Sequence, residues 1–356
     1  MNVHQAMDAI DYGDAVSNSV INLKELLEEA GYNSLIYSKW FHQKVHKYYN
    51  PIEKLDVKNN DIVFYHFSGK SDIFNQIIKL RSKKILVYHN ITPPHFFKNN
   101  KQFFNLCQMG LNQLKENINR FDGAIADSEY NKLDLIDLGM DEKKIDVIPI
   151  VFNFDLISLD KTNKVLFSNY ADSRYINFLY VGRIAPNKKI EDVITIFEYY
   201  YKNINRNSRL FLVGNFDNYL DYYNELKKYI DLLLCKRNIF FTGKVSDEDL
   251  YTYYKLANIF ITMSEHEGFC VPIIESMFYG IPTIAFNSGA VKYTMGNAGI
   301  LVNEKKHEVI AKLCDKILND NDLKDAIILA QRNRVLEFDT KNIFLKITNI
   351  IRKYNY

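Results

Sequence analysis

The chain has 356 residues, which is enough for two domains that each bury a core of their own. Apolar residues make up 47% of the chain and charged residues 25%, as is typical of a soluble globular protein. The formal net charge of +2 gives no general case for binding nucleic acid, so we expect no nucleic-acid partner.

In the first half of the chain, short apolar runs alternate with longer helical patterns, which indicates βαβ units and a parallel sheet. Helical periodicity is clear over 18–30 and 103–120, and the pattern weakens over 153–175, which we interpret as the connection between two domains. The predicted strands are 34–37, 61–66, 84–88, 123–126 and 144–147.

The second half restarts the alternation, and a last helix at 339–356 lies outside it. The predicted strands are 176–181, 209–213, 238–241, 258–263 and 283–285, and the predicted helices are 190–201, 219–234, 247–256 and 272–279. This order predicts an α/β fold with two doubly wound Rossmann-like domains that face each other across a crevice. Ligands of such sheets bind at the carboxyl ends of the strands.

Two loops of the second half carry residues suited to a diphosphate and its neighbours. Arg183 and Lys188 follow the first strand after Gly182, and they offer a planar fork of donors and a mobile point charge. The segment 264–280, S-E-H-E-G-F-C-V-P-I-I-E-S-M-F-Y-G, combines a glycine turn with a helix that has proline in its first turn, a geometry that aims N–H groups at an anion.

Glu267 and Glu275 flank that anion site, where they can accept hydrogen bonds from hydroxyls on either side of a phosphate. A sugar nucleotide has this layout of sugar, diphosphate and ribose. Taken alone, each feature has an ordinary alternative. Arg183 and Lys188 could belong to a basic, solvated loop, Glu267 could simply lie in a loop, and Glu275 could be a solvated helix residue.

The runs G-R-I-A-P-N-K and E-G-F-C-V-P-I-I-E-S-M-F-Y-G-I-P-T-I-A resemble the retaining glycosyltransferases of family 4, which have the GT-B fold, and the second run matches the E-x7-E motif of that family. The likeness also includes 12–15, 88–90, 212–214, 241–245 and 298–302. It implies a retaining hexosyltransferase-type enzyme that moves a sugar from a UDP-, GDP- or other nucleotide-sugar to a hydroxyl of a glycan or lipid-linked acceptor, in cell-surface polysaccharide or glycolipid assembly.

By that resemblance, Arg183 and Lys188 bind the diphosphate, Glu267 holds hydroxyls of the donor sugar, and Glu275 holds the ribose hydroxyls. His89 takes the place of a histidine that faces the donor sugar, although it could instead be a hydrogen-bonded packing residue, as could His66. The other implied donor-binding residues are Gly13, Asp14, Gly182, Gly214, Lys244, Val245, Gly268, Phe269, Cys270 and Val271. The implied domains are 1–155 on the acceptor side, with the helix 339–356 crossing back onto it, and 156–338 on the donor side.

Three positions depart from the family pattern. Lys189 replaces the glycine that usually follows the motif lysine, so either Lys188 or Lys189 is the main phosphate contact. Cys270 replaces a frequent glycine, and we interpret it as a packing residue or a point of close backbone approach, because no base that could activate the thiol is evident. The first loop has one glycine, Gly13, rather than a pair.

We predict no metal and no other cofactor. Two Asp-x-Asp triplets occur, but 247–249 follows Ser246 at the start of a helix and 320–322 lies between helices, so both are interpreted as helix caps or turns. Arg183, Lys188 and a helix N-terminus can compensate the charge of a diphosphate instead.

The segment 39–49, K-W-F-H-Q-K-V-H-K-Y-Y, interleaves basic and aromatic residues. It could contact an anionic membrane or a lipid-linked acceptor, or it could be an ordinary amphipathic connection packed on the sheet. Four scattered cysteines without a C-x-x-C pair, no signal-peptide pattern and no apolar run near ~20 residues indicate a cytoplasmic protein, with peripheral contact at the inner face of the membrane as the further expectation.

Two other functions compete with the transferase. A dinucleotide-dependent oxidoreductase should show G-x-G-x-x-G after a strand, and the sequence has no such run. A non-catalytic subunit that binds a sugar nucleotide or glycan and supports another glycosyltransferase has no need of the complete set Arg183, Lys188, Glu267 and Glu275, which argues for the enzyme.

Overall fold

The computed structural model describes residues 1–154 and 161–355. These residues form two compact units, one made of Met1–Phe154 with the C-terminal segment from Phe338, and the other made of the chain between them up to Glu337. Each unit contains one parallel sheet with helices in its crossover connections. The predicted class of two doubly wound α/β domains is confirmed.

In the first unit the strands are β1 Val3–Ile10, β2 Ile36–Phe41, β3 Tyr49–Pro51, β4 Ile62–Phe67, β5 Lys83–Tyr88, β6 Gly123–Ala126 and β7 Ile145–Val147. The intervening helices are α1 Ala15–Glu29, α2 Phe74–Ile77, α3 Lys101–Asn117 and α4 Glu129–Asp137. The sheet order is β3-β2-β1-β4-β5-β6-β7, so the direction of winding reverses between β1 and β4.

In the second unit the strands are β8 Ile176–Val181, β9 Ser208–Val213, β10 Ile239–Gly243, β11 Ile259–Thr262, β12 Thr283–Phe286 and β13 Ile300–Val302. The helices are α5 Lys164–Tyr170, α6 Ile190–Asn203, α7 Leu220–Asp231, α8 Asp247–Leu256, α9 Val271–Phe278, α10 Val291–Met295, α11 His307–Asn319 and α12 Asn321–Leu336. The sheet order is β10-β9-β8-β11-β12-β13, with the reversal between β8 and β11. In open α/β sheets that reversal point is where ligands bind.

The last helix, α13 Thr340–Tyr354, belongs to the first unit. Its apolar residues recur at helical spacing, and Ile343, Ile347, Ile350 and Ile351 are all buried against the sheet residues Ile62, Phe64 and Val87. Its first turn is tied to the same unit by the Thr340 hydroxyl, which donates to the Phe152 carbonyl.

The prediction missed β1, although this strand is central in its sheet. Its sequence, V-H-Q-A-M-D-A-I, lacks the continuous apolar run of a buried strand, yet nearly all of it is buried. The polar side chains are satisfied within the fold: Gln5 Nε2 donates to the Val20 carbonyl at 2.9 Å, and His4 Nδ1 accepts from the Leu35 N–H at 3.1 Å. Burial therefore depends on distant partners that a local pattern does not reveal.

The predicted connection 153–175 is shorter than expected. Residues 155–160 lie outside the described residues, but 164–170 form α5, so this part was wrongly interpreted as connecting chain. The helix begins at a capping asparagine, since the Asn163 Oδ1 accepts from the N–H groups of Val165 and Leu166, both at 3.1 Å. Most other predicted elements agree within a few residues, although β2 was placed too early and α2, β3, α4 and the elements from α10 to α12 were not predicted.

We expect the apolar face of α13 to hold this helix on the first unit. Replacing Ile347, which is 2% exposed, with alanine should lower the free energy of unfolding by about 2 to 5 kcal/mol, because the change leaves a cavity against the sheet. Leu345→Ala is the matched control, since Leu345 is 62% exposed on the same helix and its loss should cost little. Denaturant titration of both variants tests this, and equal effects would show that the helix is not anchored by this face.

Candidate functional site

The loops that follow β8 and β11 lie side by side because these strands are parallel neighbours, with Ile259 opposite Phe178 and Phe260 opposite Leu179. The first loop carries Arg183 and Lys188, and the second carries Glu267 and leads into α9. The fold therefore brings the two predicted loops of the second unit together at the reversal point of its sheet.

Close backbone packing at the strand ends explains two of the predicted glycines. Gly182 directly follows β8 and Gly214 directly follows β9, with φ of 150° and 153° respectively. A Cβ atom on Gly214 would lie 1.9 Å from the Gly182 carbonyl oxygen, so no other residue fits there without moving the loop. A role for either glycine in donor binding stays a prediction.

Lys188 is paired with Glu267. The Lys188 Nζ lies 2.6 Å from the Glu267 Oε2, and both side chains are nearly buried, at 13% and 10% exposure. Burial would raise the pKa of Glu267, but the Lys188 ammonium and hydrogen bonds from Lys188 and Ser264 outweigh it and hold this pKa below its usual value. The carboxylate is thus ionised and already compensated at neutral pH.

Lys189 has a different environment from Lys188. Its backbone is left-handed, with φ of 53°, which is the conformation that a glycine adopts without cost. Its ammonium lies 3.4 Å from Glu191 and 3.7 Å from Glu265. Of the two lysines, Lys188 is therefore the one in contact with Glu267, which favours it as the phosphate contact.

The Glu267 loop is held by residues to which the sequence assigned no role. Asn187, 3% exposed, donates from Nδ2 to the His266 carbonyl at 3.2 Å, and its own carbonyl accepts from the Glu265 N–H at 2.8 Å. Behind the loop, the Ala290 N–H donates to the Glu267 carbonyl at 2.9 Å, and a Cβ atom on Gly289 would lie 2.7 Å from that oxygen. In the sequence, these contacts could have been suggested only by the asparagine beside Lys188 and by the small residues at 288–290. Neither feature indicates that its partner is the Glu267 loop.

Helix α9 begins at Val271, directly after Gly268, Phe269 and Cys270. Cys270 occupies the N-cap position with φ of 73°, a left-handed conformation that glycine adopts more easily than any other residue. Burial raises the pKa of the Cys270 thiol, and the Glu267 carboxylate raises it further. This is the environment of a protonated, unreactive thiol.

Glu275 lies one turn into α9, where its Oε2 accepts a hydrogen bond from the Tyr254 hydroxyl at 2.6 Å. Burial raises the pKa of Glu275 to about 7, against the hydrogen bond from Tyr254, which lowers it. The two motif glutamates thus differ: Glu267 is held ionised by a cation, whereas Glu275 titrates near neutral pH.

Arg183 is exposed, and no carboxylate in the described parts of the chain pairs with its guanidinium. Its backbone is fixed, since the Tyr180 hydroxyl donates to the Arg183 carbonyl at 3.1 Å. Lys244 and Val245 follow β10 at the same edge of the sheet, with Lys244 exposed. An exposed guanidinium on a fixed backbone is suited to bind an anion from solution.

The remaining predicted residues lie in the first unit. Gly13, with φ of 69°, forms the turn after β1, and Asp14 caps α1 by accepting from the Ser17 N–H at 3.0 Å. Asp14 is therefore a helix cap, whatever else it contacts.

His89 belongs to a buried chain of side chains. Gln5 donates to Val20, so its Oε1 must accept from the His66 Nε2 at 3.0 Å. Burial and the neighbouring His89 lower the pKa of His66, and the neutral His66 ring must then accept at Nδ1 from the His89 Nε2, 2.9 Å away.

The other ring nitrogen of His89, Nδ1, lies 2.7 Å from the Asp127 Oδ2. Burial raises the pKa of Asp127, although His89 opposes this shift. Because both ring nitrogens are engaged with protein and the side chain is 3% exposed, His89 reaches a sugar only if its bond to His66 is exchanged. In this arrangement His89 is a buried, hydrogen-bonded packing residue, and its direct contact with a donor sugar stays a prediction.

Both Asp-x-Asp triplets begin helices. The Ser246 hydroxyl accepts from the Asp249 N–H at 3.1 Å at the start of α8, and the Asp320 carboxylate accepts from the Leu323 N–H at 3.0 Å at the start of α12. Their interpretation as caps is confirmed.

The segment 39–49 spans the end of β2 and a short 3-10 helix, Gln43–Tyr48. Val45 is buried in the core, whereas Trp40 is 60% exposed and Lys39 pairs with Asp72 at 2.7 Å. The segment therefore belongs partly to the sheet, packs on the core through Val45 and Tyr48, and leaves the Trp40 side chain accessible. In the described residues, no helix is both long and apolar enough to cross a bilayer.

Comparisons with known proteins point to one family. Residues 163–334, nearly all of the second unit, match the family described as glycosyl transferases group 1. The chain is 23% identical over 310 residues to an uncharacterized 41.2 kDa protein in the cps region of Klebsiella pneumoniae, covering 83% of this chain and 80% of that protein. It is 28% identical over 221 residues to the capsular polysaccharide biosynthesis glycosyltransferase CapM of Staphylococcus aureus, covering 60% of this chain and 56% of CapM.

Among solved structures, Anabaena HepE, determined in complex with UDP and glucose, matches with a TM-score of 0.76 at 16% identity, covering 99% of this chain and 100% of that chain. At this identity the likeness shows the fold alone, and it confirms the predicted GT-B class. The assignment to family 4 and the role of the E-x7-E motif stay predictions.

The raised pKa of Glu275 predicts a pH-dependent stability. Between the pKa of an unfolded glutamate, about 4.3, and the folded value of about 7, the folded state binds more protons, so this group lowers stability as pH rises. Glu275→Gln should therefore gain stability relative to the parent protein by on the order of 2 kcal/mol between pH 5 and pH 8. Denaturant unfolding at both pH values checks this, with the exposed Glu225→Gln as control; a pH-independent difference would contradict the assignment.

Proposed function

We propose, from the premise that the second unit is a group 1 glycosyltransferase domain, that the chain is a retaining glycosyltransferase. It moves a sugar from a nucleotide-sugar donor to a hydroxyl of a glycan or lipid-linked acceptor. The observation that carries this proposal is the buried Lys188–Glu267 pair, which sets a cation and an ionised carboxylate side by side at the reversal point of the sheet.

The pair suits the junction between a sugar and a diphosphate. The Lys188 ammonium has three N–H donors, so it can keep its bond to Glu267 and also donate to a phosphate oxygen. Glu267 retains lone pairs that can accept hydrogen bonds from sugar hydroxyls. The exposed guanidinium of Arg183 supplies a second positive charge. The N–H groups at the start of α9 complete the binding of the diphosphate.

The reaction needs no protein nucleophile. The acceptor hydroxyl attacks the anomeric carbon from the face that the diphosphate leaves, the bond between that carbon and the phosphate oxygen breaks, and a donor phosphate oxygen takes the proton of the hydroxyl. Arg183, Lys188 and the start of α9 stabilise the negative charge that develops on the leaving diphosphate. Glu275, further along α9, accepts from the ribose hydroxyls.

The relatives support a role in cell-surface polysaccharide assembly. One is described as a capsular polysaccharide biosynthesis glycosyltransferase, and another is a protein of a cps region. A lipid-linked acceptor would place the reaction at a membrane surface, which we expect to be the cytoplasmic face, and the exposed Trp40 beside Lys39 is suited to contact that surface.

Removing either cation should reduce turnover strongly. We expect Arg183→Ala and Lys188→Ala each to lower kcat by about 100-fold or more, since each removes a group that stabilises the leaving diphosphate. The assay is sugar transfer or donor hydrolysis by the purified chain with a panel of UDP-, GDP-, ADP- and dTDP-sugars. Arg174→Ala is the matched control, because Arg174 is exposed and its ion-pair partner among residues 1–154 and 161–355 is Asp172.

Two results of that assay would count against the proposal. Near-normal rates for Arg183→Ala or Lys188→Ala would show that the diphosphate is bound elsewhere. Tight donor binding without any transfer or hydrolysis by the parent chain would instead identify a non-catalytic subunit.

We also propose that transfer requires no divalent metal. The charge of the diphosphate is compensated by Arg183, Lys188 and the start of α9, and both Asp-x-Asp triplets are used as helix caps. Turnover should therefore be unchanged in excess EDTA. Activity that is lost in EDTA and restored by added Mg²⁺ or Mn²⁺ would contradict this proposal.

A further inference from the structure

Tyr254 contacts Glu275 and has no role in the proposed transfer reaction. It is on α8, it is 1% exposed, and its hydroxyl donates to the Glu275 Oε2 at 2.6 Å. Its ring is fixed by stacking on Tyr279, with ring centroids 5.3 Å apart and planes at 6°. A phenol held this rigidly sets the orientation of the carboxylate that it contacts.

The hydrogen bond leaves most of the carboxylate unused. Among the described residues, the side chain that hydrogen-bonds the Glu275 carboxylate is Tyr254. A carboxylate can accept about four hydrogen bonds, so this bond uses one of them. The Glu275 side chain is only partly buried, so its other acceptor positions remain within reach of a ligand. A pair of neighbouring hydroxyls, as on a ribose, would satisfy them.

We propose that Tyr254 is a positioning residue of the nucleotide site, which holds the Glu275 carboxylate in the orientation that accepts the ribose diol and so selects ribonucleotides over 2′-deoxyribonucleotides. This inference rests on the proposed function, since it assumes that Glu275 contacts the ribose.

The charges around Glu275 explain why its carboxylate needs a hydrogen-bond donor such as the Tyr254 hydroxyl. Burial favours the protonated carboxyl, and Asp247 on α8 adds a like charge, whereas the Tyr254 hydroxyl stabilises the ionised form. The other ionisable groups in electrostatic contact with this pair, Cys270 and Tyr279, are neutral acids that offer no positive charge. Without the phenol, the pKa of Glu275 should rise further, and a protonated carboxyl accepts fewer hydrogen bonds.

The test compares Tyr254→Phe with the parent protein by isothermal titration of UDP against 2′-deoxy-UDP, and likewise for the GDP and ADP pairs. We expect the parent protein to prefer one ribonucleotide over its deoxy form by about tenfold, the contribution of one hydrogen bond to a charged group. In Tyr254→Phe this preference should fall to about twofold or less. The matched control is Tyr253→Phe on the same helix, because Tyr253 is also buried but does not contact Glu275.

The pH dependence gives a second readout that a merely structural role would not move. Affinity for the ribonucleotide should increase as pH rises from 6 to 8 in the parent protein, because the carboxylate must be ionised to accept the diol. In Tyr254→Phe the midpoint should move to higher pH. In a Glu275→Gln background, Tyr254→Phe should cause no further change in the ribose preference.

The outcomes separate this inference from the proposed function. If a nucleotide binds and Tyr254→Phe keeps the full ribose preference with an unmoved pH midpoint, Tyr254 does not position Glu275, although the proposed function stands. If dTDP binds the parent protein but UDP, GDP and ADP do not, the site takes a deoxyribonucleotide, which overturns this inference and leaves the proposed function standing. If none of the four binds, both are overturned. Circular dichroism confirms that each variant is folded, and an unfolded Tyr254→Phe would be replaced by Tyr254→His, which keeps a ring donor and should retain part of the preference.

Discussion

The candidate site of the second unit is organised around the Lys188–Glu267 ion pair. Two charges this close to full burial are costly to remove from water, and either one alone would be strongly destabilising. Their contact, 2.6 Å long, allows the fold to keep an ionised carboxylate and an ammonium beside the start of α9 before any ligand binds. If the pair binds a diphosphate, as proposed, the site needs little reorganisation to receive it.

The backbone around this pair is arranged at some cost. Lys189 and Cys270 are both left-handed, where a side chain costs roughly 1–2 kcal/mol compared with glycine, and they follow Lys188 and precede α9. The structure compensates with contacts that fix the loops: Asn187 joins the two loops, and Ala290 supports Glu267 from behind. Strain supported by its surroundings in this manner is common at functional sites.

The sequence was sufficient to predict the fold class and the loops that carry Arg183, Lys188, Glu267 and Glu275, because alternating strands and helices and short motifs are local patterns. It was not sufficient for β1, whose polar residues are buried with partners such as Val20. The roles of Asn187 and Tyr254 were likewise hidden, since their partners lie 79 and 21 residues away along the chain. His89 was singled out correctly as a strand-end residue, but no sequence pattern shows that His66 and Asp127 occupy both of its ring nitrogens.

The central claim is that the second unit binds a nucleotide-sugar between Arg183, Lys188 and the two glutamates. Thermal unfolding of the purified chain with UDP-, GDP-, ADP- and dTDP-sugars tests it most directly, because a ligand that binds only the folded state raises the melting temperature with its concentration. The account predicts a concentration-dependent increase for one donor class, which is abolished in Arg183→Ala, where the lost side chain is exposed and leaves no buried charge unpaired, and in Lys188→Ala that circular dichroism shows to be folded. No increase with any donor, or an equal increase in Lys188→Ala, would contradict it.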